Sequence, residues 1–307
     1  MTFVAGVSGF RSLWMVADRR LSVPGRTPID DARKMIFLET TDGTAILGYT
    51  GLGATIRGTE PSDWMNATLR GVNLPLEQCL GFLSRAMYDQ LPVHLARIPK
   101  SATPAHTIVI NAICNKEPRV YSIDMVLSKD RKKVEAFRYA KHAFQVGGRI
   151  LRTPPRLIFG GSGAISLLAG KVRWDWRFLQ RLIRAHDRGL IHSLTVADEL
   201  AKLNFAVHQA TSDKSVGPRC IIAWRMGKKA KFGSAHQCYN GIMRENVTIA
   251  VPTIAQGMDV MAIMAALLPP NWPSIKPTDL INRSAEDIIR MNTALSQVPT
   301  KPDTRLR

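Results

Sequence analysis

Cysteine is scarce in this chain of 307 residues: Cys79, Cys114, Cys220 and Cys238 never come closer than eighteen positions apart. No CxxC pair forms, which argues against a zinc ribbon, a thioredoxin-type motif or a disulfide scaffold and fits a reducing compartment. Long apolar runs are also missing. The most hydrophobic stretch, Met258 to Leu268, contains Asp259 and ends at Pro269-Pro270, too short to cross a bilayer. The opening residues MTFVAGVSGF carry no charge before Arg11 and do not read as a signal peptide. The seven histidines form neither an HExxH motif nor an i, i+4 pair, so a zinc hydrolase is disfavoured and no metal or cofactor is expected. These absences predict a soluble, cytoplasmic protein with no membrane segment.

Acidic residues are the minority, 24 against 42 Lys plus Arg, a formal net charge of +18. Nine basic residues fall between Ser128 and Arg156 against Asp130 and Glu135, and six between Lys214 and Lys231 with no acid. No helix-turn-helix, zinc-finger or aromatic RNA-binding pattern accompanies them. Solvated basic loops that attract polyanions weakly are therefore favoured over a specific nucleic-acid reader.

What is present is ample core material, 45% hydrophobic residues at 21% charged. Strands are expected at Phe3–Val7 and Ser12–Ala17, then a hairpin of Lys34–Glu39 and Thr44–Tyr49 around Asp42-Gly43. Helices follow, one capped by Thr59 and running to Leu69, another from Leu76 to Leu91. Strands return at Thr107–Ile113, Val120–Asp124 and Arg156–Phe159. Helices are expected from Ala164, over Trp176–Ala185 and over Val196–Ala210, and strands at Cys220–Trp224 and Lys231–Ser234. Strands, helices, strands, helices, strands is the order of two sheets between helical layers, not of an alternating parallel α/β fold. After about Ile242 the chain is richer in Pro and Asn, with one short apolar helix at Val260–Leu268.

Thr2 draws attention first. Methionine is readily removed before a small residue, and an N-terminal threonine joins a hydroxyl nucleophile to an α-amine whose reference pKa, about 7.7–8.0, suits a general base near neutrality. Asp18 and Lys34 follow at offsets of sixteen and thirty-two. A cation beside the threonine favours the alkoxide, and a carboxylate orients that cation. Taken singly, Asp18 and Lys34 read as an ordinary surface ion pair.

The joint spacing resembles the proteasome β-subunit family of N-terminal-nucleophile hydrolases, which places its catalytic Thr, Asp and Lys at the same offsets. Val16-Ala17-Asp18-Arg19-Arg20 is similar to that family's Ala-Asp-Arg stretch, and Ile46-Leu47-Gly48-Tyr49-Thr50-Gly51 to its glycine-bearing strand. Gly161-Ser162-Gly163 is similar to its Gly-Ser-Gly. Ala210-Thr211-Ser212-Asp213-Lys214-Ser215-Val216 is similar to the stretch with its last active-site serine. The resemblance covers roughly Thr2 to Ser234 and is nearest in type to the bacterial ancestral β-subunit proteins, with no propeptide before Thr2.

The resemblance implies an α+β fold, a four-layer αββα sandwich of two antiparallel sheets between helical layers. The domain would span 1–241 with a basic insertion at about 128–155, followed by a C-terminal extension over 242–307. It further implies a threonine endopeptidase acting on peptide or protein substrates within a homo-oligomer (a ring, barrel or open spiral), with an unfoldase or adaptor as partner. Thr2 would be nucleophile and base, Lys34 would lower the hydroxyl pKa with Asp18 as its partner, and the Gly51 N–H would bind the oxyanion. Ser162 and Ser212 would relay the proton of the amine. Gln209 departs from the family's usual Asp three residues before that serine, with Asp213 as a substitute. Two other readings stay open. One is a catalytically silent scaffold or binding protein of the same fold, engaging polyanions through its basic segments. The other makes Gly160-Gly161-Ser162-Gly163-Ala164 a nucleophile elbow of the α/β-hydrolase kind, although Ala164 breaks the G-x-S-x-G pattern.

Overall fold

The computed structural model describes residues 2–21, 27–51, 59–95, 106–128, 133–142, 145–146, 149–150, 155–211, 215–226, 233–268 and 285–303. In chain order the strands and helices begin with β1 (Val4–Ser8), β2 (Ser12–Asp18), β3 (Met35–Glu39) and β4 (Gly43–Thr50). Helices α1 (Pro61–Leu69) and α2 (Leu76–Leu95) come next, then β5 (Thr107–Cys114), β6 (Glu117–Leu127), β7 (Val134–Lys141), β8 (Gln145–Val146), β9 (Arg149–Ile150) and β10 (Arg156–Gly160). Three helices follow, α3 (Ser162–Leu168), α4 (Trp176–Asp187) and α5 (Ser193–Ala210). The chain continues as β11 (Arg219–Met226), β12 (Ser234–Tyr239), β13 (Ile242–Thr248), β14 (Thr253–Ala255), β15 (Met258–Asp259), α6 (Val260–Leu267) and α7 (Ala285–Ser296).

Two sheets stack face to face. The first runs β10-β1-β2-β11-β12-β13, and the second β15-β14-β3-β4-β5-β6-β7. Every neighbouring pair in them is antiparallel except β14 and β3. The exception has a topological cause: β14 follows a crossing from the first sheet, so no hairpin dictates its direction.

The two-residue period of the strands sorts their side chains into three apolar layers. On β1 and β2, Ala5, Val7, Trp14 and Val16, with Phe3 just before β1, face the helices α3–α5 and meet Leu179, Ile183, Leu200 and Val207. The intervening Val4, Leu13, Met15 and Ala17 face the other sheet and meet Met35, Phe37, Ile46 and Val109. Ile36, Leu38, Ala45 and Leu47 point outwards against Met65, Leu69, Leu80 and Leu83 of α1 and α2. Both faces of the central strands are thus buried, which is why β1 and β2 are unbroken apolar or small runs without hydrophilic alternation. The architecture is the expected α+β sandwich.

A fully buried polar side chain bonds across the gap between the sheets. Asn111 on β5 is fully buried, and its Nδ2 donates to Val7 O (3.2 Å) and Trp14 O (3.0 Å) on the opposite sheet. Such a bond fixes how the sheets slide, because an unpaired buried amide costs about 1–3 kcal/mol.

Several boundaries differ from expectation. The basic stretch after Ser128 is in part β7, which extends the second sheet beside β6, with Phe137 buried beneath it. Both sheets also continue past residue 241. Asn240 and Gly241, with φ of 51° and 77°, turn β12 into β13, and β14 lies along β3. An open edge leaves backbone groups unpaired, so late segments that can complete an edge are drawn into it. Asp259 then ties this region to α1: it caps α6 at Ala262 N (3.0 Å) and accepts from Asn66 Nδ2 (2.6 Å) and Arg70 Nη2 (2.9 Å). The α1 cap is Glu60, with Pro61 at the first helical position, one residue later than the Thr59 expected.

Candidate active site

The hairpin of β1 and β2 decides where Asp18 goes. Val4 pairs with Ala17, so the next residues outward, Phe3 and Asp18, come side by side. Asp18 N donates to Phe3 O (3.0 Å), and Phe3 N returns a bond to Asp18 Oδ1 (2.8 Å). The carboxylate therefore lies beside Thr2, whose hydroxyl donates to Asp18 Oδ1. Lys34 arrives from the other sheet, one residue before β3. Its ammonium makes three bonds, to Thr2 Oγ1 (2.7 Å), Asp18 Oδ1 (3.0 Å) and Arg20 O (2.6 Å), which uses all three of its protons.

This cluster is dry: Thr2, Asp18 and Lys34 are each no more than 2% exposed. The second carboxylate oxygen of Asp18 accepts from Arg20 N (3.1 Å) and Gly217 N (3.1 Å). With the Thr2 hydroxyl, Phe3 N and Lys34, five donors converge on one side chain. Burial pushes the Lys34 pKa below its ordinary value, and attraction to Asp18 opposes that shift. Behind the cluster, Arg20 grips Asp30 through Nε (2.7 Å) and Nη2 (2.8 Å), which anchors the strand end that offers its carbonyl to Lys34.

Ser162 sits at the start of α3 on the other side of Thr2. Its hydroxyl reaches Thr2 O (3.4 Å), as does Gly163 N (3.3 Å), and it meets the hydroxyl of Ser215 at 3.1 Å. Gly161 makes this approach feasible. Its φ is +87°, and a Cβ placed there would lie 2.1 Å from Thr2 O. Gly161→Ala is expected to cost more than about 2 kcal/mol in urea unfolding, since strain and clash add at one position. A neutral substitution would mean that Thr2 and the α3 turn are not held against each other.

Of the six residues singled out in the sequence, Thr2, Asp18, Lys34 and Ser162 converge. Gly51 lies just beyond β4 with φ +131°, against the imidazole of His106. Ser212 falls outside the described residues, as does Asp213, and Gln209 is exposed on the last turn of α5. The serine that meets Ser162 is Ser215, whose place after a helix end carried no spacing signal to separate it from Ser212.

His106 was also not singled out. It is fully buried, with Nδ1 2.5 Å from the Tyr49 hydroxyl and no partner for Nε2 among the described residues. Burial pushes its pKa down to about 4, so it is neutral at physiological pH. A lone histidine fifty-seven positions from its tyrosine has no local pattern; only the β4–β5 pairing brings the two together. No group of three or more potential metal-binding side chains occurs among the described residues.

No protein-family model matches this chain, and no curated protein matches it. Among solved structures it is similar to Anbu from Hyphomicrobium sp. strain MC1, at 10% identity and a TM-score of 0.45, over 76% of this chain and 86% of that one. It is similar to Anbu (ancestral beta-subunit) from Yersinia bercovieri at 12% identity and a TM-score of 0.40, over 72% and 81% of the two chains. A structure described as a helical assembly of the Anbu complex from Pseudomonas aeruginosa gives 10% identity and 0.44, over 77% and 86%.

Proposed function

We propose that this chain is an N-terminal-nucleophile hydrolase that cleaves amide bonds of peptides through Thr2. The observation that carries the reading is the 2.7 Å bond from Lys34 Nζ to Thr2 Oγ1 inside a buried cluster completed by Asp18. Removal of Met1 frees the α-amine of Thr2 as the base. The amine takes the hydroxyl proton while Oγ1 attacks the scissile carbonyl, and Lys34 stabilises the oxygen as its charge develops. The tetrahedral oxyanion is assigned to the backbone N–H of Gly51. Collapse breaks the C–N bond, the protonated amine passes its proton to the leaving nitrogen, and water then hydrolyses the ester on Thr2. Ser162 and Ser215 form a pair of hydroxyls beside Thr2 that suits a relay to the amine.

The same proposal includes assembly of several copies. Ile165 and Leu168 on α3 are 69% and 81% exposed, apolar surface that a neighbouring copy would cover. The second reading, a silent scaffold, is favoured by one observation: Gln209 is exposed and offers no charge to the cluster.

Intact mass measurement followed by reaction with an epoxyketone or β-lactone probe separates these readings. Loss of Met1 and adduct on the N-terminal peptide at Thr2 are expected. An adduct on Ser162 would favour the nucleophile-elbow reading, and a processed but unreactive Thr2 would favour the scaffold.

A further inference from the structure

Just beyond β4, Gly51 meets a buried polar pair. Tyr49 pairs with Ile108 and Thr50 with Thr107, so one further step of the same register sets Gly51 opposite His106. Directly opposed residues share a face of the sheet. The imidazole accordingly fills the space that a side chain at 51 would need: a Cβ there would lie 2.5 Å from His106 Nδ1 and 3.1 Å from Cγ and Cε1. Tyr49, two residues back on the same face, is the diagonal neighbour, and its hydroxyl meets Nδ1 at 2.5 Å. The histidine is tied to β6 through its carbonyl, which accepts from Met125 N (3.1 Å). The strand end that this pair supports borders the Thr2 cluster, because Tyr49 N donates to Lys34 O (2.9 Å).

The bond at Nδ1 decides which ring nitrogen carries the hydrogen. Burial raises the Tyr49 pKa, so the phenol keeps its proton, and His106 is its one side-chain partner among the described residues. If the phenol donates to Nδ1, a single group, Nε2–H, is left without a partner. If Nδ1 carried the hydrogen instead, both the phenol proton and the Nε2 lone pair would be left. The neutral Nε2–H tautomer is the better satisfied of the two. Even so, an apolar residue would fill this space with no unpaired donor, so the polar pair is kept at a cost in stability. What it adds is direction: a hydrogen bond at Nδ1 fixes the rotation of the ring, and with it the edge presented to Gly51.

We infer that His106, oriented by Tyr49, is a positioning residue that holds the Gly51 peptide so that its N–H stays aimed at the oxyanion. The inference rests on the reading of Thr2 as nucleophile and of Gly51 as oxyanion donor. Glycine at φ +131° has no side chain to limit its rotation, so the direction of its N–H is set by what packs against it. Here that neighbour is a ring locked by its own hydrogen bond. The oxyanion exists only once the tetrahedral state forms, so an N–H turned away from it lowers kcat and leaves ground-state binding as it was.

Steady-state kinetics on a fluorogenic peptide amide, with urea unfolding and active-site labelling of the full chain, test it. The double variant Tyr49→Phe/His106→Leu replaces both polar partners by apolar groups, which should leave the urea midpoint equal or higher. Its kcat is expected to fall about 10–100-fold with KM within about twofold, the scale of a misplaced catalytic group. His106→Asn, whose amide oxygen can accept from Tyr49 where Nδ1 does, should recover most of that loss. Labelling by a peptide β-lactone should slow with kcat, since acylation passes through the tetrahedral oxyanion. Labelling of Thr2 by a peptide vinyl sulfone should stay within about twofold, because Oγ1 adds to the vinyl carbon, the neighbouring carbon takes a proton and no alkoxide forms. If the double variant loses stability, Tyr49→Phe alone carries the same criterion, with kcat lowered at least about threefold. A kcat within about twofold of the parent, a rise in KM alone, or vinyl sulfone labelling that falls together with stability would overturn the inference. In a parent that labels at Thr2, those outcomes leave the hydrolase reading standing. A parent that neither turns over amides nor labels at Thr2 overturns both.

Discussion

Lys34→Ala is expected to lower amide-bond turnover by about 10²–10³-fold, the loss seen when a preorganised donor to a reacting oxygen is removed. The lysine is the cation in contact with Thr2 Oγ1, and it holds that position through two further bonds, to Asp18 and to the Arg20 carbonyl. Lys34→Arg should recover little, because a planar guanidinium cannot sit where a compact ammonium makes three bonds in a space with 2% exposure. A purely structural role for the lysine would show in stability and not in turnover, so both are measured. Burial depresses the folded-state pKa of Lys34 below its unfolded value of 10.5, so between those two values the unfolded chain binds more protons. Stability therefore rises with pH across that window, and Lys34→Met should flatten the rise. Full turnover by Lys34→Ala would remove the lysine from the chemistry.

Asp18→Ala is expected to destabilise the fold by about 3–5 kcal/mol, the cost of leaving a buried partner charge uncompensated. The side chain is 1% exposed overall and accepts from two side chains and three backbone N–H groups. Combining the change with Lys34→Met should recover more than half of the loss, since the double variant leaves no uncompensated buried charge. The N–H groups of Phe3, Arg20 and Gly217 still lack their acceptor, which keeps recovery incomplete. Both variants should be inactive. Urea unfolding at matched protein concentration checks the result, because self-association would otherwise shift the apparent stability. A loss below about 1 kcal/mol for Asp18→Ala would mean that the cluster is not held by its carboxylate.

Thr2 and Asp18 were legible as neighbours because a tight β1–β2 hairpin folds residue 18 back beside residue 3, a consequence of local pairing. The helices α2, α4 and α5 were legible in their apolar spacing, and the strands of the inner layers in unbroken apolar runs. The β12–β13 hairpin carried a strong local signal, Asn240-Gly241 between apolar residues, and should have been read as a turn. Strand β7 was masked by its charge: Lys141, Arg138 and Glu135 lie on an edge strand that faces water, where polar residues are tolerated.

The amino-acid sequence by itself determined the layer order, since helix and strand periods are local properties that survive without knowledge of partners. It also determined the chemical identity of Thr2, Asp18 and Lys34 and, through the hairpin, the first of their two contacts. Only the tertiary structure decided that Lys34 reaches Thr2 at 2.7 Å, because that distance depends on how one sheet stacks on the other. The same holds for Ser215 meeting Ser162 and for His106 beneath Tyr49. Each joins residues whose separation along the chain, or whose direction in space, is set by packing between layers and not by any spacing that a linear reading can measure.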